Sequence, residues 1–312
     1  MKWLVLFLIL GSTAAGAERL SFDSAARDSR LPQLFQVKPA FPERIYGELQ
    51  LPSAGAGRFP AMVIMHSSRG IDATIGNWAK LFNDMGVATL VVDSYAPRGL
   101  EERTGDQLSF PASVVDSLRA LRRLRQDKRI DPARIGVIGF SRGAFAAVHS
   151  SFLRYRAVVF GTDAGKFALH IAFYGGCGQY AKTTGSPILA FIGSEDDFAN
   201  ADVCRKQAEL LGKLGSKVEV VVYEGALHGF DSDLPRQTMP AIQNLRKCQM
   251  LNDFDTFDAI LVDGRALSAE ERLRHSQTCI SHGADRGGNP KHAAASRERV
   301  RAFVGEHFRM QK

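Results

Sequence analysis

The sequence predicts an α/β fold, a doubly wound and mainly parallel sheet with helices on both faces. Short, continuously apolar runs such as AMVIMH (61–66) and PILAFIG (187–193) recur along the chain, as expected of strands covered on both sides. Segments of helical spacing separate them, which suits parallel crossovers. With 312 residues, 45% hydrophobic and 23% charged, the chain can build one sizeable core, and α/β domains often exceed about 200 residues without splitting.

The opening, MKWLVLFLILGSTAAGAERL, has Lys2, an apolar stretch from Trp3 to Leu10 and small residues ending at Ala17. This pattern is that of a secretory signal peptide, residues 1–17, cleaved after Ala17. Eight apolar residues are too few to cross about 30 Å of hydrocarbon. No later stretch is long and apolar enough either, so residues 18–312 are expected to form one soluble domain without stable membrane insertion. Loss of Lys2 lowers the formal charge from +7 to +6.

Residues 18–44, with Pro32, Pro39 and Pro42, read as an extended lead-in. IYGELQL (45–51) follows as an edge strand and 61–66 as a buried one. A helix over 74–86 stops at Gly86, before a strand at 87–95. A helix over 112–128 leads to the strand RIGVIGF (134–140) and the helix RGAFAAVHSSF. Strands at 168–175, 187–193 and 217–225 complete the alternation, with a helix at 202–214. Residues 231–289 break this rhythm with two cysteines, polar turns and no clear strand, and read as a covering insertion. A last helix, 291–308, turns Val300, Phe303 and Val304 to the sheet. No 20–50-residue period and no low-complexity tract appears.

The densest basic cluster, RALRRLRQDKR (119–129), fits an amphipathic helix with Leu118, Leu121 and Leu124 inward and arginines in water. Neither interleaved aromatics nor zinc-finger spacing accompanies it, so no nucleic-acid partner is indicated.

An exported chain meets an oxidising compartment, which makes Cys177, Cys204, Cys248 and Cys279 candidates for two disulfides. Three pairings exist. Moderate loops favour Cys177 with Cys204 and Cys248 with Cys279, and buried free thiols are the alternative. None has the close spacing of a zinc site.

RIGVIGFSRGAF (134–145) carries a Gly-x-Ser-x-Gly match, weak alone but here set between an apolar strand and a small-residue helix. In such a turn Ser141 takes a strained conformation, Gly139 and Gly143 spare their neighbours a side chain, and the hydroxyl emerges at the carboxyl edge of the sheet. A serine needs a base to take its proton, and the base needs a carboxylate to orient it. FIGSEDDF offers Glu195, Asp196 and Asp197 after one strand, and YEGALHGF offers His228 after the next. Of the eight histidines, only His228 combines this chain order with a strand-end position. Asp196 is preferred as the acid over Asp197, with Glu195 behind. The oxyanion donors are expected to be the N–H of Arg142 and that of Ser67 or Ser68 in HSSRG, for which a plain polar turn is the alternative. The Arg142 guanidinium is free to meet an acidic substrate group or a neighbouring carboxylate.

With these residues in place, the chain resembles the dienelactone hydrolase family of α/β-hydrolases, especially its exported bacterial members. The matching stretches are VIMHSSRG, VVDSYAPRG, IGVIGFSRGA, AFYGGCG, FIGSEDDFANADVC and YEGALHGFD. The resemblance covers roughly residues 45–230 and the last helix. It implies a hydrolase of carboxylic esters acting through Ser141, Asp196 and His228, with no cofactor. Aligning the family's Gly-x-x-Asp on Gly193 to Asp196 favours Asp196, and the pattern brings Cys177 and Cys204 close together. Three departures stand out: serine replaces the cysteine nucleophile of dienelactone hydrolase, Ser67 occupies a position where glycine commonly follows the histidine, and the 231–289 insertion has no counterpart in the minimal fold.

The expectation is thus an exported serine hydrolase that cleaves small-molecule esters through an acyl-enzyme. Its rivals are a non-catalytic exported binding or accessory protein on the same fold, and a peptidase or amidase.

Overall fold

The computed structural model describes residues 16–35, 39–55 and 57–310. Most of the expected signal segment therefore lies outside the described residues. In chain order the elements are β1 (Glu18–Ser24), α1 (Leu31–Leu34), β2 (Glu43–Gln50), β3 (Phe59–Met65), α2 (Ala73–Asp84), β4 (Ala88–Asp93) and α3 (Phe110–Leu124). Next come β5 (Ile130–Phe140), α4 (Arg142–His149), α5 (Leu153–Phe160), β6 (His170–Phe173), β7 (Gln179–Tyr180), β8 (Ile188–Gly193), α6 (Ala201–Lys213) and β9 (Val218–Tyr223). The insertion supplies β10 (Gln237–Asn244), β11 (Met250–Asp253), β12 (Ala259–Leu261), β13 (Ala266–Leu267), α7 (Ala269–Thr278) and β14 (Ser281–Arg286), and α8 (Pro290–His307) closes the chain.

Eight strands form the main sheet in the order β1-β2-β4-β3-β5-β6-β8-β9. From β4 to β9 all pairings are parallel, while β1 and β2 join antiparallel. The chain runs from β3 outward to β4 and then crosses back to β5 on the other side of β3. This reversal opens a crevice at the carboxyl ends of β3 and β5, where open α/β sheets bind ligands.

Both faces are covered, which explains the unbroken apolar strands. Leu118, Leu121 and Leu124 of α3 are fully buried with Ala144 and Val148 of α4 and Tyr155 of α5 on one face. On the other, Trp78 and Phe82 of α2 and Val300, Phe303 and Val304 of α8 belong to one buried apolar cluster. Ser109 caps α3 by accepting from the Ala112 N–H at 3.1 Å, and Pro111 stands in its first turn, where a missing donor is harmless.

Two expectations need correction. The lead-in contains β1, which takes the edge position, so the expected edge strand at 45–51 lies one place inside as β2. The inward side of β1 is only Leu20, Phe22 and Ser24, too little apolar signal to stand out. The insertion, read as lacking strands, carries five of them and α7. They are short or largely exposed, so hydrophobic periodicity does not mark them. β10 pairs with β14, while β11, β12 and β13 extend β7 into a second small sheet.

One buried ion pair joins the edge strands to the sheet. Arg98, in the loop after β4, donates to both carboxylate oxygens of Asp116 in α3 at 2.8 and 2.9 Å, to the Ala25 carbonyl at 2.8 Å and to Glu43 of β2 at 2.5 Å. Ser24 Oγ donates to the same Asp116 carboxylate at 2.5 Å. Arg98→Ala would strand a fully desolvated carboxylate, and chemical denaturation should show a loss of about 3–5 kcal/mol.

His149 and His170 are fully enclosed, and burial pushes each ring down to about 4. In the unfolded chain each returns to about 6.5 and binds its proton more readily. Their contribution to stability is therefore complete above pH 6.5 and drains as pH falls toward 4, by up to about 1.4 kcal/mol per pH unit for each ring. Denaturation at pH 7, 6 and 5 should show this slope, and His170→Leu should reduce it.

Candidate active site

The turn from β5 into α4 is set by close approach of backbones. A Cβ on Gly139 would stand 1.9 Å from the Gly143 carbonyl oxygen, and one on Gly143 would stand 2.1 Å from that of Met65. Only glycines let α4 begin so near β3 and β5. The chain reverses within one residue, and Ser141 is held at φ 52°, ψ −109°, a region that non-glycine residues occupy at a cost of about 1–3 kcal/mol. Its N–H donates to the Phe173 carbonyl at 2.9 Å, which ties the turn to the end of β6.

Two further strand ends supply partners. Past β8, Asp196 is buried, and its Oδ1 accepts the N–H groups of Phe198 at 2.8 Å and Ala199 at 3.0 Å. Past β9, His228 places Nδ1 3.0 and 3.1 Å from the two Asp196 oxygens and Nε2 3.0 Å from Ser141 Oγ. With Asp196 ionised, Nδ1 carries the ring hydrogen, and Nε2 keeps the lone pair that accepts the serine hydroxyl.

The neighbours of Asp196 are otherwise engaged. Glu195 pairs with Arg246 at 2.7 Å, and Asp197 pairs with Arg246 at 3.0 Å while accepting the Asp285 N–H at 2.8 Å. The Leu245 N–H donates to the Asp197 carbonyl at 2.6 Å. Both flanking acids thus anchor the insertion, and Asp196 alone of the three faces the imidazole.

Ser67 and Ser68 line a cleft of about 980 Å³ together with Ser141, Arg142 and His228. The Ser67 carbonyl accepts from the Gly70 N–H at 3.1 Å and from His66 Nδ1 at 2.7 Å, while His66 Nε2 accepts the Ser94 N–H at 3.2 Å. Burial holds the His66 ring below its usual range, so it stays neutral and fixes the course of this loop. As the first residue of α4, Arg142 has an N–H that no helical carbonyl accepts. Its guanidinium is not free for a substrate: it donates to the Leu108 carbonyl at 2.6 Å, pairs with Asp106 at 3.4 Å and lies 4.4 Å from the Phe110 ring centre.

Sequence reasoning missed the support behind His228. Tyr174, also at positive φ (43°), sets its ring 4.7 Å from the imidazole and donates its hydroxyl to Asp231 at 2.8 Å. Trp78 Nε1 donates to the other oxygen of Asp231 at 2.7 Å. Burial pushes the Asp231 carboxyl up. The one available signal was its place three residues beyond His228, inside YEGALHGFD.

Cys177 is bonded to Cys204, and Cys248 to Cys279. Cys177 and Cys248 both border the cleft. Among the described residues no cluster of three or more His, Cys, Asp or Glu side chains could hold a metal ion, and no helix is long and apolar enough to cross a membrane.

The profile of the dienelactone hydrolase family matches residues 47–257. A protein of a Bradyrhizobium species, described as a probable 2-oxo-3-(5-oxofuran-2-ylidene)propanoate lactonase, is 21% identical over 195 residues, 56% of this chain and 74% of that protein. Among solved structures, the dienelactone hydrolase-like promiscuous phosphotriesterase P91 from metagenomic libraries superposes with a TM-score of 0.54 at 13% identity, covering 94% of this chain and 99% of that one. Esterase 2 of Thermogutta terrifontis, phosphoramylated by tabun, gives 0.51 at 18% identity, covering 72% and 88%. At such identities the likeness between structures is one of fold.

The steric origin of the turn can be tested away from any chemistry. Gly143→Ala should push α4 from β3 and lower the melting temperature by several degrees, at about 2 °C per kcal/mol for a chain of this size. Gly305→Ala, in α8 with nothing within 4 Å of the new Cβ, should leave it unchanged or raise it by helix propensity.

Proposed function

The chain belongs to the dienelactone hydrolase family, and on that premise we propose that it is an exported serine hydrolase that cleaves carboxylic esters. His228 takes the proton of Ser141 as Oγ bonds to the ester carbonyl carbon, and the carbonyl π electrons move to oxygen. That oxyanion is held by the N–H of Arg142 and by the N–H of Ser67 or Ser68. Collapse of the intermediate breaks the bond to the alkoxide, which leaves as the alcohol with the proton from His228. Water then attacks the acyl-enzyme, His228 takes a proton from it, and the acid departs as Ser141 recovers its hydrogen. Asp196 keeps the ring in its tautomer and balances the imidazolium charge.

The observation that carries this reading is the unbroken hydrogen-bonded chain from Asp196 through His228 to Ser141 Oγ, with steps of 3.0 Å, its last two members lining a cleft. The strain at Ser141 adds support, because strained backbone gathers at functional sites. A relative described as a probable lactonase, and neighbours described as an esterase and a phosphotriesterase, agree with hydrolysis at a carbonyl or phosphoryl centre. Export rests on the apolar leader, residues 1–17, and on the two disulfides, which persist in oxidising compartments.

Ser141→Ala should cut turnover of p-nitrophenyl esters by at least about a thousandfold, abolish covalent labelling by a fluorophosphonate, and leave the melting temperature in place. Turnover retained at the wild-type rate would remove the mechanism. A parallel panel of amides separates an esterase from an amidase, and an unlabelled wild-type protein would point to a binding role.

A further inference from the structure

The ladder between β10 and β14 is broken at one place. Met239 pairs with Ala284 and Gln243 with His282, so Pro240, Ala241 and Ile242 stand opposite the single residue Gly283, at φ 90°. Such a bulge re-aims side chains and gives up ladder hydrogen bonds, and proline, with no N–H to lose, suits its first position. The side chains it re-aims meet the cleft: Ala241 and Ile242 line it, flanked by Met239 and Leu245.

Ile242 is 42% exposed and Phe110, which lines the same cleft, is 44% exposed. Large apolar side chains left in water at a cleft wall are informative where small scattered ones are not. Phe110 is also held in place, 4.8 Å from the Phe145 ring and against the Arg142 guanidinium. The ribbon becomes polar at its His228 end, where Arg286 borders the cleft. Along the ribbon the cleft wall therefore passes from the charge of Arg286, bridged to His228, to apolar surface at the bulge. The cleft, about 980 Å³, has room for far more than an acetyl group, and each methylene it covers multiplies binding about fourfold when fully buried.

We propose that the β10 bulge sets substrate specificity and that the natural ester carries an apolar chain of about six or more carbons lying along Ile242 and Met239. This deepens the ester-hydrolase reading above and rests on it. The wall is only partly enclosed, so the gain per methylene falls short of the full fourfold.

The test is a chain-length series in two arms: p-nitrophenyl esters from acetate to decanoate, and acetate esters of alcohols from ethanol to octanol. The expected result is a rise in kcat/KM of at least about tenfold from two to eight carbons in one arm, which also identifies the side of the ester that meets the bulge. Ile242→Asp should bring that ratio below about threefold, and Ile242→Leu should restore it. Ile242 is half-exposed, so neither change empties the core; Met239→Gln, expected to lower the same ratio, is a second variant should the first melt early. Flat or falling series in both arms, or a ratio indifferent to Ile242→Asp and Met239→Gln alike, would overturn the proposal while fluorophosphonate labelling of Ser141 left the hydrolase reading standing. Absence of that labelling would instead remove the reading and the proposal together.

Discussion

The close approach of three backbones at the end of β5 is the constraint on which the rest depends. Because Gly139 and Gly143 bring no side chain, α4 starts against the last turns of β3 and β5, and the residue between them must reverse the chain at positive φ. One consequence is steric, since the Ser141 hydroxyl is lifted out of the sheet's edge. The other is electrostatic: the first N–H of α4, that of Arg142, directly follows Ser141 and has no acceptor within the helix, at the positive end of its dipole. The hydroxyl proposed as nucleophile and the N–H proposed as anion donor thus arise from a single packing contact, at the crevice where the sheet order reverses.

Around that point the protein spends its insertion on the acid side of the site. Arg246 grips both Glu195 and Asp197, and the backbone of Leu245 and Asp285 grips Asp197 again. Three consecutive acids in FIGSEDDF would repel one another if left alone; the insertion neutralises the outer two. The same segment then forms a wall of the cleft through β10. Holding the FIGSEDDF loop and walling the cleft are therefore properties of one piece of chain, further fastened by the Cys248–Cys279 bond.

Buried polar groups do comparable work further out. Arg98 and Asp116 tie β1 and β2 to the sheet, and Asp231 ties Trp78, Tyr174 and the His228 loop together. In each case a desolvated carboxylate is satisfied by donors from elements distant in sequence, which makes the arrangement costly to break and specific in geometry.

The sheet was legible in the sequence because its strands are covered on both faces: AMVIMH and PILAFIG announce themselves by apolarity, and glycines or acids mark their ends. The positions of Ser141, Asp196 and His228 at strand ends follow from the same alternation, since parallel strands put every such end on one edge. What alternation cannot convey is which of several adjacent side chains turns inward. Whether Asp196 or Asp197 faces the imidazole depends on Arg246, fifty residues away; whether the Arg142 guanidinium reaches the cleft depends on Leu108 and Phe110. β1 and the insertion strands escaped notice because half-exposed or very short strands carry little periodic signal. By itself the sequence determined the fold class and the edge on which chemistry can occur, as these are set by local apolar pattern. Only tertiary structure decided the partners of each charged group and the walls of the cleft, because those contacts join residues that no local pattern relates.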